Sequence, residues 1–396
     1  MTKKKQMAKH ISRFLLMLLI GAVTTALNAC GGDDGLGNFS QQEDNKTVYA
    51  NIDSNYEYKL PVIFHVLYSD KNDTTQYISG SRIRNLLKYV NELYRGGIYG
   101  SSENIHISFY LAQEDENGHK LDTAGVEYVK YQGEYPIDPY SFMNDNTGKN
   151  VRYIWDPNKY INVLMYHFKS TGNNTETLGV SHMPFTPQGT HALSGLRQVA
   201  PRYISKARLS FALCSSINSL YATAMPDGSY YQSDRYTNPG HTASRYFSND
   251  IVVTLAHELG HYLGLFHTFT ESAKAKTNET TPTDSCGDTD HCHDTPSYNR
   301  YEYLSYMGSL AAQGKYTLKN LILRYACDGT AFYATNIMDY EWTLGYNITH
   351  DQKERIRNVL YYSPLIPGPK KNGINVMTRA TAEDSKKLQI KPMIIW

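Results

Sequence analysis

The sequence predicts one α/β domain over residues 58–365, built on a mixed sheet with a long helix that carries the chemistry. Three observations predict it. Apolar residues make up 41% and charged residues 19% of 396, enough to bury a sizeable core and too apolar for a disordered chain. Apolar runs of strand length are interleaved with a stretch of helical spacing in the first half. A capped, strongly apolar helix over Ile251–Tyr262 then leads into loops and a later helix.

The elements follow in order. Lys3, Lys4, Lys5 and Lys9 precede an apolar stretch from Phe14 to Leu27, the order of a secretory signal over residues 1–29. That stretch is short for a membrane span, which needs about 20 residues. Leu27-Asn28-Ala29-Cys30 resembles a bacterial lipobox, whose cysteine is lipidated and becomes the new N-terminus. Residues 30–57 are polar and glycine-rich, a flexible tether. Asp33 and Asp34, just after the lipid cysteine, look like a surface-export signal of Bacteroidetes lipoproteins. The expectation is therefore a bacterial outer-membrane lipoprotein, exposed on the cell surface and held to the membrane through lipid on Cys30.

Leu60–Tyr68 reads as a buried strand with Pro61 at its start. Ser81 is placed to cap a helix whose apolar positions are Ile83, Leu86, Leu87, Val90, Leu93 and Tyr94, ended by Gly96-Gly97. Ile105–Ala112 and Tyr160–Phe168 are further strands. Asn249-Asp250 precede the long helix. Ser363-Pro364 and Pro367-Gly368-Pro369 close the organised region, and residues 366–396 read as a C-terminal tail or late strand. His65, His106, His167, His182 and His191 are scattered, as packed or surface histidines are. The 34 tyrosines, against 12 phenylalanines, fit rings that pack while their hydroxyls find a polar partner.

Charge excludes one class of partner. Lys and Arg number 39 against 38 Asp and Glu, and removing the five basic residues of positions 1–29 leaves 34 against 38, a net −4. Nothing in that balance favours nucleic acid. With Cys30 lipidated, Cys214, Cys286, Cys292 and Cys327 remain, and an exported chain can oxidise them in three connectivities.

The chemistry sits at His257-Glu258-Leu259-Gly260-His261-Tyr262-Leu263-Gly264-Leu265-Phe266-His267. His257 and His261, four apart on a helix, share one face and can reach one ion. Gly264 lets the chain leave the helix through a positive φ, which a Cβ resists. His267 then returns as a third nitrogen. Three protein ligands leave a fourth position for water, as in a catalytic zinc site. Glu258 is placed to take a proton from the zinc-bound water as it attacks a carbonyl, then to pass it to the leaving amine.

HExxHxxGxxH followed by the turn Asn336-Ile337-Met338-Asp339-Tyr340 resembles the metzincin zinc peptidases. His267-Thr268-Phe269, Asp294-Thr295-Pro296 and the helix opening His350-Asp351-Gln352, with Arg355 and Arg357, look like the pappalysin branch, closest to Bacteroidetes metallopeptidase lipoproteins. The resemblance implies a metzincin-like zincin: a mixed twisted sheet and active-site helix above, an irregular lower subdomain with the methionine turn and C-terminal helix below, and zinc at the cleft floor. It implies that Met338 lies beneath the histidines and that Tyr340 contacts the metal or the tetrahedral intermediate. It also implies calcium at Asp290, Asp294 and Thr295, and a disulfide between Cys292 and Cys327 that leaves Cys214 and Cys286 as a second pair or free thiols. One departure stands out: relatives often carry a cysteine shortly after the methionine turn, and Glu341–His350 has none. No cysteine latch is expected either, since Cys30 is the only cysteine before the domain. The reading is a zinc endopeptidase acting on proteins or peptides. The alternatives are a non-catalytic binding lipoprotein on the same scaffold, disfavoured because Glu258 and the three histidines are all present, and a zinc amidase on a non-peptide substrate.

Overall fold

The computed structural model describes residues 52–170, 176–201, 203–237, 245–273, 280–371 and 386–396. The signal segment, Cys30 and most of the tether lie outside these. No helix among the described residues is long and apolar enough to cross a membrane.

The chain opens with β1 (Tyr58–Tyr68), α1 (Gly80–Arg95), β2 (Ile107–Leu111), β3 (Val126–Lys130), α2 (Pro139–Met143), β4 (Ile161–Tyr166) and β5 (Gly179–His182). Next come the two-residue strands β6 (Thr186–Pro187) and β7 (Gln198–Val199), then β8 (Ser215–Asn218) and α3 (Ile251–Tyr262). Two small hairpins, β9 (Glu271–Ala273) with β10 (Thr280–Pro282) and β11 (Leu323–Tyr325) with β12 (Ala331–Tyr333), flank α4 (Arg300–Gln313) and α5 (Leu318–Leu321). The chain closes with α6 (His350–Tyr362) and β13 (Ile394–Ile395).

The main sheet has seven strands in the order β13-β5-β8-β4-β1-β2, with β3 also paired to β1. β1 runs parallel to β2, β3 and β4, and β4 parallel to β8. β5 runs antiparallel to β8, and β13 antiparallel to β5. This is the mixed α/β architecture the sequence predicts. β1 is long enough to pair at both ends, with β2 against Tyr58–Val62 and β3 against Phe64–Tyr68. It starts at Tyr58, so Pro61 lies inside it, opposite Tyr110.

The cap of α1 is Ser79, whose side chain accepts from Arg82 N, and Ser81 lies within the first turn. Gly80 opens that helix because a Cβ there would stand 2.3 Å from Thr123 Cγ2. α1 and α3 cover the sheet, and Tyr94 of α1 donates its hydroxyl to Ala256 O of α3 at 3.0 Å. Buried tyrosines repeat this device, Tyr303 with Leu321 O at 2.8 Å among them. His65 is a packed histidine, as the sequence suggests, buried between Glu127 and Asn162 at 2.6 and 2.9 Å.

Candidate metal centre

α3 begins where Asp250 accepts hydrogen bonds from Val252 N and Val253 N at 2.9 and 3.4 Å. All of its residues are buried, so its polar groups face the site or have partners within the fold. Gly264 turns the chain with φ 98°, and a Cβ there would meet Val359 Cγ2 at 2.8 Å. His267 is thereby brought back to His257 and His261. Their Nε2 atoms form a triangle with sides of 2.9, 3.1 and 3.2 Å.

Tautomers follow from the partners of the other ring nitrogens. His257 Nδ1 donates to Ile337 O and His261 Nδ1 to Leu265 O, both at 2.7 Å, because a carbonyl can only accept. His267 Nδ1 lies 2.9 Å from Glu271 Oε1, without a well-directed hydrogen bond. Burial pushes the His257 imidazole down to about 3 and His261 well below its ordinary value, with neighbouring rings adding to the effect. Two neutral rings therefore aim Nε2 lone pairs at each other and at the third, which is repulsive unless a cation lies between them. Zinc–nitrogen bonds of about 2.0–2.1 Å set tetrahedral ligands about 3.3 Å apart, close to the triangle observed. The donor set fits zinc. Among the described residues it is the one group of His, Cys, Asp or Glu whose ligand atoms converge for a metal.

The floor is built from residues far along the chain. Met338 is fully buried, and a Cβ on Gly260 would stand 2.5 Å from its sulfur. That explains a glycine inside a helix, where it costs about 1 kcal/mol against alanine. Asn336 Oδ1 accepts Met338 N at 2.9 Å and Gln352 Nε2 at 3.1 Å. Gln352 also closes a capping box with Thr349, so the start of α6 and the methionine turn are one unit. Arg355 donates to Gly264 O at 2.6 Å and Ser194 O at 2.7 Å, which pins the motif's glycine turn. Arg357 reaches Asp53 O and Tyr56 O at 3.0 and 2.8 Å, extending the folded region upstream of position 58.

Glu258 is buried and points to a cleft of about 610 Å³ whose lining includes Gly179, His257, Arg300, Tyr340 and Trp396. Its Oε2 has no hydrogen-bond partner among the described residues, and burial raises its pKa well above the ordinary carboxyl value. A Cβ on Gly179 of β5 would stand 2.4 Å from Glu258 Oε1, so that strand and the carboxyl are in contact. The Tyr340 ring lies 4.4 Å from His267 and 5.5 Å from His257 between centroids, but its hydroxyl donates to the main-chain oxygen of Trp396. Burial holds the phenol well above its usual pKa, with Glu271 and Glu258 acting in the same direction.

The turn is held by its own Asp339 and by two residues that carry no motif, Tyr298 and Arg324. Asp339 Oδ1 accepts Tyr340 N at 2.7 Å and the Tyr298 hydroxyl at 2.5 Å. Buried Arg324 donates to Tyr340 O and Trp342 O, each at 3.1 Å, and stacks 3.3 Å over Tyr303. The only sequence signal of Arg324 is a charged residue inside an otherwise apolar or aromatic stretch.

The disulfide differs from the expectation. Cys286 is bonded to Cys327, while Cys292 and Cys214 are buried free thiols. Cys292 sits in a turn in which Asp290 Oδ1 accepts Cys292 N at 3.0 Å and Thr295 donates to Cys292 O at 2.7 Å, and this turn buries its side chain. Cys286 instead immediately precedes Gly287, which Thr270 holds at both its N–H and its carbonyl, and its Cα lies 5.4 Å from that of Cys327. In the same loop the Thr295 hydroxyl lies 2.6 Å from Asp290 Oδ2, while Asp294 Oδ2 accepts Asp351 N at 3.0 Å. Asp290 and Thr295 are together; Asp294 is turned to the start of α6.

Residues 223–361 match the family model Peptidase_M43, described as pregnancy-associated plasma protein-A. No curated protein matches the chain. Solved structures similar to it include mature mirolysin of Tannerella forsythia in complex with a cleaved peptide, at 17% identity and TM-score 0.44 over 76% of this chain and 90% of that one. Mirolysin in complex with compound 9 gives 17% and 0.48 over 77% and 92%. A promirolysin mutant of T. forsythia gives 18% and 0.45 over 80% and 82%.

Proposed function

We propose that this chain, a pappalysin-like metzincin by its catalytic segment, is a zinc-dependent endopeptidase that hydrolyses protein or peptide bonds. One observation carries the reading: three imidazole Nε2 atoms converge within 3.2 Å beside a buried carboxyl, one oxygen of which has no partner among the described residues. His257, His261 and His267 would hold zinc, which when bound polarises a carbonyl and lowers the pKa of a water. Glu258 takes the proton of the attacking water and delivers it to the leaving amine; its raised pKa suits a carboxyl that must hold that proton between the two events. Tyr340, kept protonated by burial, donates to the developing oxyanion once its hydroxyl leaves Trp396. β5, in contact with Glu258, has backbone groups along which an extended peptide can lie once β13 leaves its outer edge, and this favours a peptide over a small amide.

Two further readings rest on sequence alone. The lipobox supports lipid on Cys30 and an outer-membrane location. The pappalysin resemblance supports calcium at Asp290, Asp294 and Thr295, where an ion has to displace Thr295 from Asp290. The deciding experiment is digestion of a proteome-derived peptide library with and without a zinc chelator. Chelator-sensitive internal cuts that vanish in Glu258→Ala, with zinc retained, are expected. Cuts that persist in that variant refute the mechanism.

A further inference from the structure

Residues 386–396 return to the catalytic side of the domain. Lys387 Nζ donates to Ala207 O and Leu209 O at 3.0 and 2.9 Å, and Leu388 N to Arg208 O at 2.8 Å. From there the segment runs antiparallel to β5. Met183 N donates to Met393 O at 2.8 Å, Ile394 faces His182, and Ile395 faces Ser181. Continuing that register brings Trp396 beside Val180, one residue from Gly179, which touches the Glu258 carboxyl. The Trp396 ring stacks on Tyr140 with centroids 5.3 Å apart. Trp396 also lines the cleft that holds His257 and Glu258.

Two recognition elements of the cleft are thereby used within the chain. Without β13, β5 is the outer strand of the sheet, and its free backbone groups are those an extended peptide pairs with. Residues 393–395 already fill that ladder. The second element is the Tyr340 hydroxyl, a donor on the methionine turn whose residue lines the cleft, and the main-chain oxygen of Trp396 accepts it. Met393, Ile394 and Ile395 are buried, so the segment is seated by apolar contact as well as by hydrogen bonds.

We propose that residues 392–396 occupy the peptide-binding edge of the cleft, a built-in competitor that a substrate must displace before Glu258 and Tyr340 can act on it. The inference rests on the peptidase reading, since β5 is a substrate edge only if the substrate is an extended peptide. Being tethered, the segment acts at a high effective concentration, which a free peptide has to overcome.

The test uses the full chain, wild type and with Ile394→Asp combined with Trp396→Ala. Zinc content and melting temperature establish that each is folded. The double variant should cleave a library-derived peptide with kcat/KM raised by about tenfold or more, since the competing tethered strand is gone. A labelled synthetic peptide spanning Leu388–Trp396 should bind the variant, fail to bind wild type, and inhibit cleavage competitively. Equal kcat/KM in the folded pair overturns the proposal. If the variant does not fold, hydrogen exchange on wild type decides: a zinc-binding peptide hydroxamate should expose the amides of Met393–Trp396, and unchanged protection with the inhibitor bound overturns it. If neither chain hydrolyses any peptide, the peptidase reading fails on its own. Occupancy is then judged by the labelled peptide, and no binding to the folded variant overturns it.

Discussion

A single methyl group at Gly179 should separate metal binding from catalysis. Gly179→Ala adds a Cβ that would lie 2.4 Å from Glu258 Oε1, 2.6 Å from its Cγ and 2.7 Å from its Cδ. Ordinary contact begins at 3.4 Å, so the carboxyl has to retreat by about 1 Å. Gly179 lies in a regular strand and lacks a positive φ, so alanine is tolerated by the backbone and even saves up to about 1 kcal/mol of chain entropy. The three atoms nearest the new methyl all belong to Glu258, none to a histidine. Misplacing a reacting group by about 1 Å costs about 100-fold, or about 2.7 kcal/mol of transition-state stabilisation. The assay is kcat/KM on a cleaved library peptide, with zinc content and melting temperature in parallel. Because the methyl acts through Glu258, Gly179→Ala combined with Glu258→Ala should be no slower than Glu258→Ala alone. Turnover within threefold of wild type, or full additivity in the double variant, refutes the reasoning.

The remaining predictions concern the metal, the phenol and the loop below them. His261→Ala should lose zinc by metal analysis, because its Nε2 is a corner of the triangle and its Nδ1 is held by Leu265 O. Tyr340→Phe should lower kcat by about 10–100-fold with little change in KM, the signature of a donor used in the transition state; an unchanged kcat assigns the hydroxyl to Trp396 alone. Burial lifts the Asp290 carboxyl up to about 7 from 3.8, so the folded state holds its proton more tightly than the unfolded one. This group's contribution is present in full below about pH 4 and is lost as pH rises through 7, at most about 4 kcal/mol. Denaturation of Asp290→Asn between pH 4 and 7 should therefore show a shallower fall than wild type. Calcium, if bound there, raises the melting temperature at pH 8, where the carboxylate is ionised; equal melting curves with calcium and with a calcium chelator refute that site.

The parts of the molecule legible in the sequence are those fixed by local periodicity and by short-range chemistry. α3 was readable to the residue because Asp250 caps an unbroken apolar run. β1, β2 and β4 were readable because buried strands carry continuous or alternating apolar residues. α4 carried little signal: of its residues only Tyr303 and Leu310 are buried, so no apolar stripe marks it. β5 and β8 are four residues each, and Gly-Val-Ser-His with Ser-Ser-Ile-Asn has the composition of loops. Their strand character comes from sheet partners distant in the chain. Ser79 and Ser81 are equivalent on composition, and what makes Ser79 the cap of α1 is its side chain's hydrogen bond from Arg82 N, which the sequence does not display.

The site divides the same way. The three histidines and Glu258 occupy a fixed spacing that helix geometry alone converts into convergence. Cysteine pairing does not reduce to spacing: Cys286 and Cys292 are six apart in one loop, and which of them meets Cys327 depends on the hydrogen bonds that bury Cys292. Arg324 has no motif because what it holds is backbone carbonyl groups, which every residue has; Asn336 and Arg355 stand in the stretches that carry the family resemblance, but nothing in the sequence says which backbone groups they hold. Yet they decide whether the motif works. Gly264 O is gripped by Arg355, Met338 N by Asn336 and Tyr340 O by Arg324, so the segments that supply the third ligand, the floor and the phenol are each fastened by one side chain. A zinc motif transplanted without these anchors keeps two histidines on a helix. It has nothing to hold His267 within 3.2 Å of them. The motif is thus a local statement about a helix, and the metal centre is a statement about the lower half of the domain.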